Sequence, residues 1–219
     1  MDKSPSGLRE WARSHIDWFG QSAFRLRTDD GPAVFFDPFR VPPGAGPAGL
    51  ILVTHPHPDH YDRRAVEGLR GKDTIVVLPQ NSAAPGTVGM AAGDTRTLGS
   101  IRVTAVAAYN VSRRFHPRGE GWIGYVVEAA GVRIYHAGDT DLIPEMEGLA
   151  PDIALLPIGG LMTMNVAAAV EAAARCRAAV CIPMHYGMLI GGRRAGSRFV
   201  EQVGERGLEL ARTSRARAG

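Results

Sequence analysis

Apolar runs alternate with polar loops along the whole chain, and their periods predict the elements. The first fifteen residues read as a short polar start. Residues 16–19 and 23–27 read as strands; Asp29-Asp30-Gly31 makes a turn, and residues 33–36 return as a strand ended by Asp37-Pro38. Residues 41–49, VPPGAGPAG, form a loop without periodicity. Residues 50–53 are wholly apolar, as in a strand buried on both faces, and run straight into THPHPDH at 54–60. Asp62 is placed to cap a helix that reaches Leu69. Residues 74–78 make another apolar strand, whereas residues 81–93, rich in Gly and Ala, fit no element. Residues 101–107 and 122–127 alternate, as half-exposed strands do. Residues 132–136 form a strand broken at Ala137-Gly138-Asp139, and residues 153–156 a buried strand followed by Pro157-Ile158-Gly159-Gly160. Asn165 caps a helix over 166–175, residues 179–182 form a strand ending at Pro183-Met184-His185, and residues 195–205 are helical.

Hairpins therefore come first and β-α units later, a mixed α+β and α/β order. Two sheets covered on their outer faces by helices accommodate it, which predicts a four-layer αββα sandwich. The 219 residues, 45% hydrophobic, suffice for one such domain over 1–219.

Composition narrows the class. Charged residues make up 21%, as in an ordinary soluble domain, and the net charge of +3 argues only weakly for an anionic partner. No apolar stretch approaches the roughly 18 residues of a membrane span, and the charged N-terminus lacks a leader's apolar run. The two cysteines, Cys176 on a helix and Cys181 in a strand, make no disulfide framework. The expectation is a cytoplasmic protein with no membrane partner; the oligomeric state is left open.

The candidate chemistry lies in His55-x-His57-x-Asp59-His60. Residues two apart in an extended segment point the same way, so His55 and His57 can grip one ion. Pro56 and Pro58 stiffen the backbone between them. Asp59 and His60 are consecutive and diverge toward a second ion. Two ions about 3.5–4 Å apart activate a shared water and hold both attacking and leaving oxygens. Three of the four remaining histidines, His116, His136 and His185, lie at strand ends or loops, and His15 lies in the polar start as an exposed residue.

The stretches THPHPDH, FHPRGEGWIGYVVE, IYHAGDTD and IPMHYG, with the opening WFGQSAFRLR…FFDPF, resemble the successive motifs of the metallo-β-lactamase superfamily, over about residues 16–187. More narrowly they resemble its small bacterial branch of metal-dependent hydrolases, related to ascorbate-phosphate lactonases. The resemblance implies that His55, His57 and His116 bind one ion, that Asp59, His60 and His185 bind the other, and that Asp139 bridges them. It implies that Asp37 orients the histidine loop from behind. His136 is open between a substrate contact, a ligand and a core residue. Asn110 and Tyr186 flank the site and are candidate donors to a developing oxyanion.

No G-x-S-x-G or Cys-His arrangement offers a protein nucleophile. The expected reaction is attack by metal-generated hydroxide on an ester, lactone, amide or phosphoester, with Asp59 and Asp139 as the catalytic carboxylates. Five histidines and two carboxylates without a thiolate suit zinc first, with manganese, iron or nickel as alternatives. Arg113, Arg114 and Arg118 near His116, and Arg193, Arg194 and Arg198 after His185, are either a solvated surface or an anion site, with Arg114 the candidate contact for a small anionic substrate. A nuclease or phosphodiesterase of the same fold is the second reading. It is disfavoured, and with it a nucleic-acid partner, because the chain lacks an added domain and an aromatic-basic stacking pattern. A non-enzymatic metal-binding protein is the third.

Overall fold

The structure is a computed structural model and describes residues 1–28 and 31–214. The expected turn residues Asp29 and Asp30, and the last residues of the basic tail, lie outside that range. The first sheet runs, in spatial order, β1 (Ile16–Gly20), β2 (Ala23–Leu26), β3 (Val34–Phe36), β4 (Ala48–Leu52), β5 (Arg70–Pro79) and β6 (Val88–Met90). The second runs β12 (Val180–Met184), β11 (Ile153–Pro157), β10 (Val132–His136), β9 (Ile123–Ala129), β8 (Ile101–Ala107) and β7 (Thr95–Leu98). Each sheet is mixed: β1–β2–β3 and β7–β8–β9–β10 are antiparallel, whereas β3–β4–β5–β6 and β10–β11–β12 are parallel.

The period of two in the strands sorts the first sheet's side chains between two cores. Phe24, Leu26, Val34, Phe36, Leu50, Leu52 and Val77 face the second sheet and pack with Val103, Tyr125, Val127 and Ile134. Ala23, Phe35, Ile51, Val53, Val76 and Leu78 face the other way and pack under Val66 and Leu69 of α2 (Arg63–Leu69). The apolar run at 50–53 is thus buried on both faces. α3 (Val166–Arg175) and α4 (Ala195–Val203) cover the outside of the second sheet against β11 and β12. The small Ala169, Ala172 and Ala173 bring α3 close to it. The expected four-layer αββα arrangement is the one observed. Asp62 caps α2 through the N–H groups of Arg64 and Ala65, and Asn165 caps α3 through Ala168.

One expectation is corrected, and two stretches that the sequence left without an element receive one. The polar start is a helix, α1 (Pro5–His15), capped by Ser4 with Pro5 in its first turn. Leu8 and Ala12, one turn apart, bury a narrow stripe that three apolar residues among charges left faint. Residues 81–93, unassigned from the sequence, hold β6. β7 carries an exposed Thr-Arg-Thr face at the sheet's edge, a polar edge that discourages further strand pairing and erases the apolar signal.

Both sheets send loops to one end. The loops after β3, β4, β10 and β12, the β1–β2 turn and the loop between β8 and β9 carry every residue of the site.

Candidate metal centre

Asp37 organises the histidine loop. Its Oδ1 accepts from the Thr54 backbone N–H at 2.7 Å, and its Oδ2 accepts from Thr54 Oγ1 and from His60 Nδ1, both at 2.7 Å. Thr54 Oγ1 in turn accepts from His55 Nδ1 at 3.0 Å. With their Nδ1 protons engaged behind, His55 and His60 turn Nε2 inward. His55 Nε2 stands 3.1 Å from His57 Nδ1, close to the roughly 3.3 Å expected of two nitrogens on one tetrahedral ion with metal–nitrogen bonds of about 2.0–2.1 Å.

The loop from β8 to β9 brings His116 to the same place. Its Nδ1 donates to the carbonyl of Met162 at 3.1 Å, and Asn110 Nδ2 pins the turn by donating to the carbonyls of Phe115 and Met162, both at 2.8 Å. Asp139 reaches in after Gly138, whose φ of +66° suits a residue without Cβ packed against Thr54. One Asp139 oxygen lies 3.4 Å from His60 Nε2; the other lies 3.4 Å from His116 Nε2 and 3.1 Å from His185 Nε2. Asp37, His116 and His185 all hold positive φ, at +42°, +54° and +59°. Each is a backbone state that costs non-glycine residues about 1–3 kcal/mol and persists where surroundings impose it.

The donor atoms fall into three groups whose members lie within 4.8 Å of one another: His55–His57–His116, His55–His60–Asp139 and Asp59–His60–His185. His60 Nε2, His116 Nε2 and Asp139 Oδ1 are buried without a hydrogen-bond partner. Inward, buried, unpartnered donors of nitrogen and carboxylate type are what a divalent cation satisfies, so the residues fit such an ion.

The fold agrees with known proteins. A family profile described as "Beta-lactamase superfamily domain" matches residues 15–185. A UPF0173 metal-dependent hydrolase of Archaeoglobus fulgidus is 34% identical, with 89% of this chain and 93% of the relative covered. One from Methanoregula boonei is 38% identical over 78% of this chain and 82% of its own length. The chain belongs to the metallo-β-lactamase superfamily. The crystal structure of a proposed metal-dependent hydrolase from Parabacteroides distasonis superposes with a TM-score of 0.79 at 30% identity, covering 90% of both chains. A metallo hydrolase of Ignicoccus hospitalis gives 0.70 at 26% identity, covering 86% of this chain and 89% of the other. Within the superfamily, this chain is one of the metal-dependent hydrolases.

Electrostatics divides this superfamily member's site in two. Burial, reinforced by neighbouring imidazoles, holds His55 well below its ordinary value and lowers His57 and His116. Burial works against charge on His60 and His185 as well, but Asp139 overcomes it in both, aided by Asp37 at His60 and by Asp59 at His185. His60 rises well above its ordinary value, and His185 is pushed up to about 9. Burial likewise opposes the charges of Asp59 and Asp139. At Asp59, the hydrogen bond with His185 and the charge of His60 outweigh it; at Asp139, His185 and His60 do. Both carboxyls stay below the usual range. His57 and Asp59 are half-buried while the other five donors are buried, so the mouth lies beside these two.

Of the remaining expected residues, His136 is a core residue. Its Nε2 donates to the Ser22 carbonyl at 2.9 Å, its Nδ1 accepts from Gly138 N–H at 3.3 Å, and its ring stacks on Phe36. It positions the turn ahead of Asp139. Asn110 supports the His116 loop with both amide bonds directed at carbonyls. The Tyr186 hydroxyl donates to Glu209 at 2.7 Å and borders a cavity that none of the seven donors lines. Neither is turned to an oxyanion. Arg113 pairs with Asp141 and Arg118 with Glu145, whereas Arg114 is exposed. His15 is half-buried, stacked on Trp11.

Three contributors were not singled out from the sequence: Thr54, Trp122 and Gln21. The Trp122 ring lies 4.9, 4.8 and 5.3 Å from those of His55, His57 and His116. Its signal was an aromatic six residues after a ligand in the GEGWIG loop, which reads equally as a strand start.

Proposed function

We propose that this protein hydrolyses an ester, lactone or phosphoester bond of a small substrate at a pair of divalent ions, zinc by preference. The observation that carries this reading is the convergence of seven nitrogen and carboxylate donors in three overlapping groups, with His60 Nε2, His116 Nε2 and Asp139 Oδ1 buried and unpartnered among them. Ions bound there supply Lewis acidity and bring the pKa of a water toward ~7. His55, His57 and His116 would hold one ion; Asp59, His60 and His185 the other; Asp139 lies between the groups and would serve both. Asp59, half-exposed at the mouth, is placed to accept and pass on the proton released when water is consumed.

Trp122 shields three of the histidines and lines a cavity of about 590 Å³ together with Tyr109, Asn81 and Arg118. That cavity is mostly apolar in surface, and its arginine is paired with Glu145 at 3.0 Å. It suits an uncharged part of the substrate beside the scissile bond. An anionic part is left to Arg114.

The test is metal loading followed by a panel of lactones, carboxylic esters and phosphodiesters. Hydrolysis of one class is expected, dependent on the ions and abolished in a folded His57→Ala variant. Loaded protein that cleaves none of them, or a His57→Ala variant as active as wild type, would sink the reading.

A further inference from the structure

The β1–β2 turn, Gly20–Gln21–Ser22, enters the site without belonging to any of the three donor groups. Gln21 is fully buried and holds φ at +50°. A turn that needs left-handed backbone is normally met by Gly or Asn, so a glutamine here carries a cost that its local role as a turn residue does not explain.

Its contacts are with two residues from opposite sheets. The side-chain Nε2 donates to Asp59 Oδ2 at 3.0 Å and stands 3.2 Å from His185 Nε2. The backbone carbonyl accepts from the His185 N–H at 2.9 Å and from Trp18 Nε1 at 3.0 Å. Oε1 is buried without a partner, so no rival bond sets the orientation of the carboxamide. Asp59 belongs to the loop after β4 in the first sheet, and His185 follows β12 in the second. Asp59 Oδ2 and His185 Nε2 also face each other at 3.6 Å, and the Gln21 amide sits against both atoms of that pair.

We propose that Gln21 is a positioning residue for the ion-binding group Asp59–His60–His185. Its amide restricts rotation of the Asp59 carboxylate, its carbonyl fixes the backbone of His185, and together they hold at one separation two donors that come from different sheets. Among the described residues no hydrogen bond joins Gln21 to His55, His57 or His116; His55 is held by Thr54 and His116 by Met162 instead. Loss of the Gln21 amide therefore weakens one ion and spares the other. The inference rests on the two-ion reading above.

The experiment compares wild type, Gln21→Met and Gln21→Glu, each stripped of metal and titrated with zinc against a chromophoric chelator. Ion-free melting is recorded alongside. Methionine keeps the length without a donor. Glutamate keeps the shape but replaces the N–H with a second carboxylate facing Asp59. The expected result is two ions on wild type, and in both variants one binding step weakened about 10–100-fold with the other step and the ion-free melting temperature unchanged. Both steps unchanged in Gln21→Met would overturn the inference and leave the two-ion reading intact. So would tighter binding in Gln21→Glu, which would show that the site takes up its ion without the restraint of the amide once a carboxylate stands there. Equal weakening of both steps with a lower melting temperature would reduce Gln21 to a structural residue. Wild type that takes up no ion would remove the two-ion reading itself.

Discussion

The two halves of the donor cluster are built from similar residues and set in opposite states. His55, His57 and His116 are held below their ordinary pKa, so without an ion they are neutral and present free electron pairs. His60 and His185 are held above it by Asp139 with Asp37 and Asp59, so without an ion they share protons with carboxylates. The difference comes from where the carboxylates sit. Imidazole among imidazoles loses its proton to burial and repulsion, whereas imidazole between carboxylates keeps it. One half is ready for a cation; the other must exchange protons for it.

Asp139 faces both halves, and replacing it should have the largest effect. Asp139→Asn keeps the volume but removes the charge that supports His60, His116 and His185 together. We expect kcat to fall about 100-fold or more and the mixed carboxylate–histidine half to lose its ion. If Asp139 only shapes the turn after Gly138, Asn should be nearly silent. Metal content and kcat measured on the same preparation decide it, and full occupancy with normal kcat would refute the shared role.

The contrast also has a pH signature. Displacing the protons held on His185 and His60 makes the mixed half's ion affinity fall as the pH drops below about 9, roughly tenfold per pH unit for each proton displaced, while the histidine half holds its affinity until its lowered values are reached. Ion-free stability follows from the same shifts. His185 titrates near 9 folded against its ordinary 6.5, and His60 is shifted in the same direction. The stability they bring is complete below pH 6.5 and is lost as the pH rises through 9. Melting temperatures of the ion-free protein should decline over that window and those of the loaded protein should not. Parallel declines in both forms would break the comparison.

A subtler probe is Asp37→Asn. Asp37 receives the His60 proton directly and reaches His55 only through the Thr54 hydroxyl. The ion on the mixed half should weaken about 10–100-fold and the other less. Equal weakening would mean that Asp37 shapes the whole loop rather than one ligand.

How much of this was legible depends on how locally each feature is encoded. THPHPDH follows a doubly buried strand, and both the strand and the ligands can be read within the eleven residues 50–60. The helix α1 was missed because burial at Leu8 and Ala12 depends on packing against strands far along the chain, and β7 because an edge strand needs no apolar face. Gln21 was invisible for the same reason that it matters. Its partners lie 38 and 164 residues away, and nothing in GQSAF marks a glutamine as more than a turn residue. His136 was open between substrate contact, ligand and core because its position in the chain does not separate the three; its ring packs against Phe36 and Phe24.

The smallest expected effect lies outside both halves, on the rim. Three arginines surround His116 in sequence, but Asp141 lies 3.5 Å from Arg113 and Glu145 lies 3.0 Å from Arg118. An arginine already neutralised by a carboxylate offers little to an anion, so among these three any preference for a charged substrate falls to Arg114, which is exposed. Exposure limits what it can contribute, because water screens a surface charge. Arg114→Ala should therefore raise KM for an anionic substrate by only about 2–5-fold, the equivalent of an exposed ion pair, and leave kcat and both ions untouched. A neutral analogue of the same substrate is the control, since its KM should not move. Added salt should erase the difference between wild type and variant. Equal KM changes for the charged and neutral compounds would show that Arg114 shapes the rim rather than recognising charge, and the uncharged cavity beside Trp122 would then account for substrate preference alone.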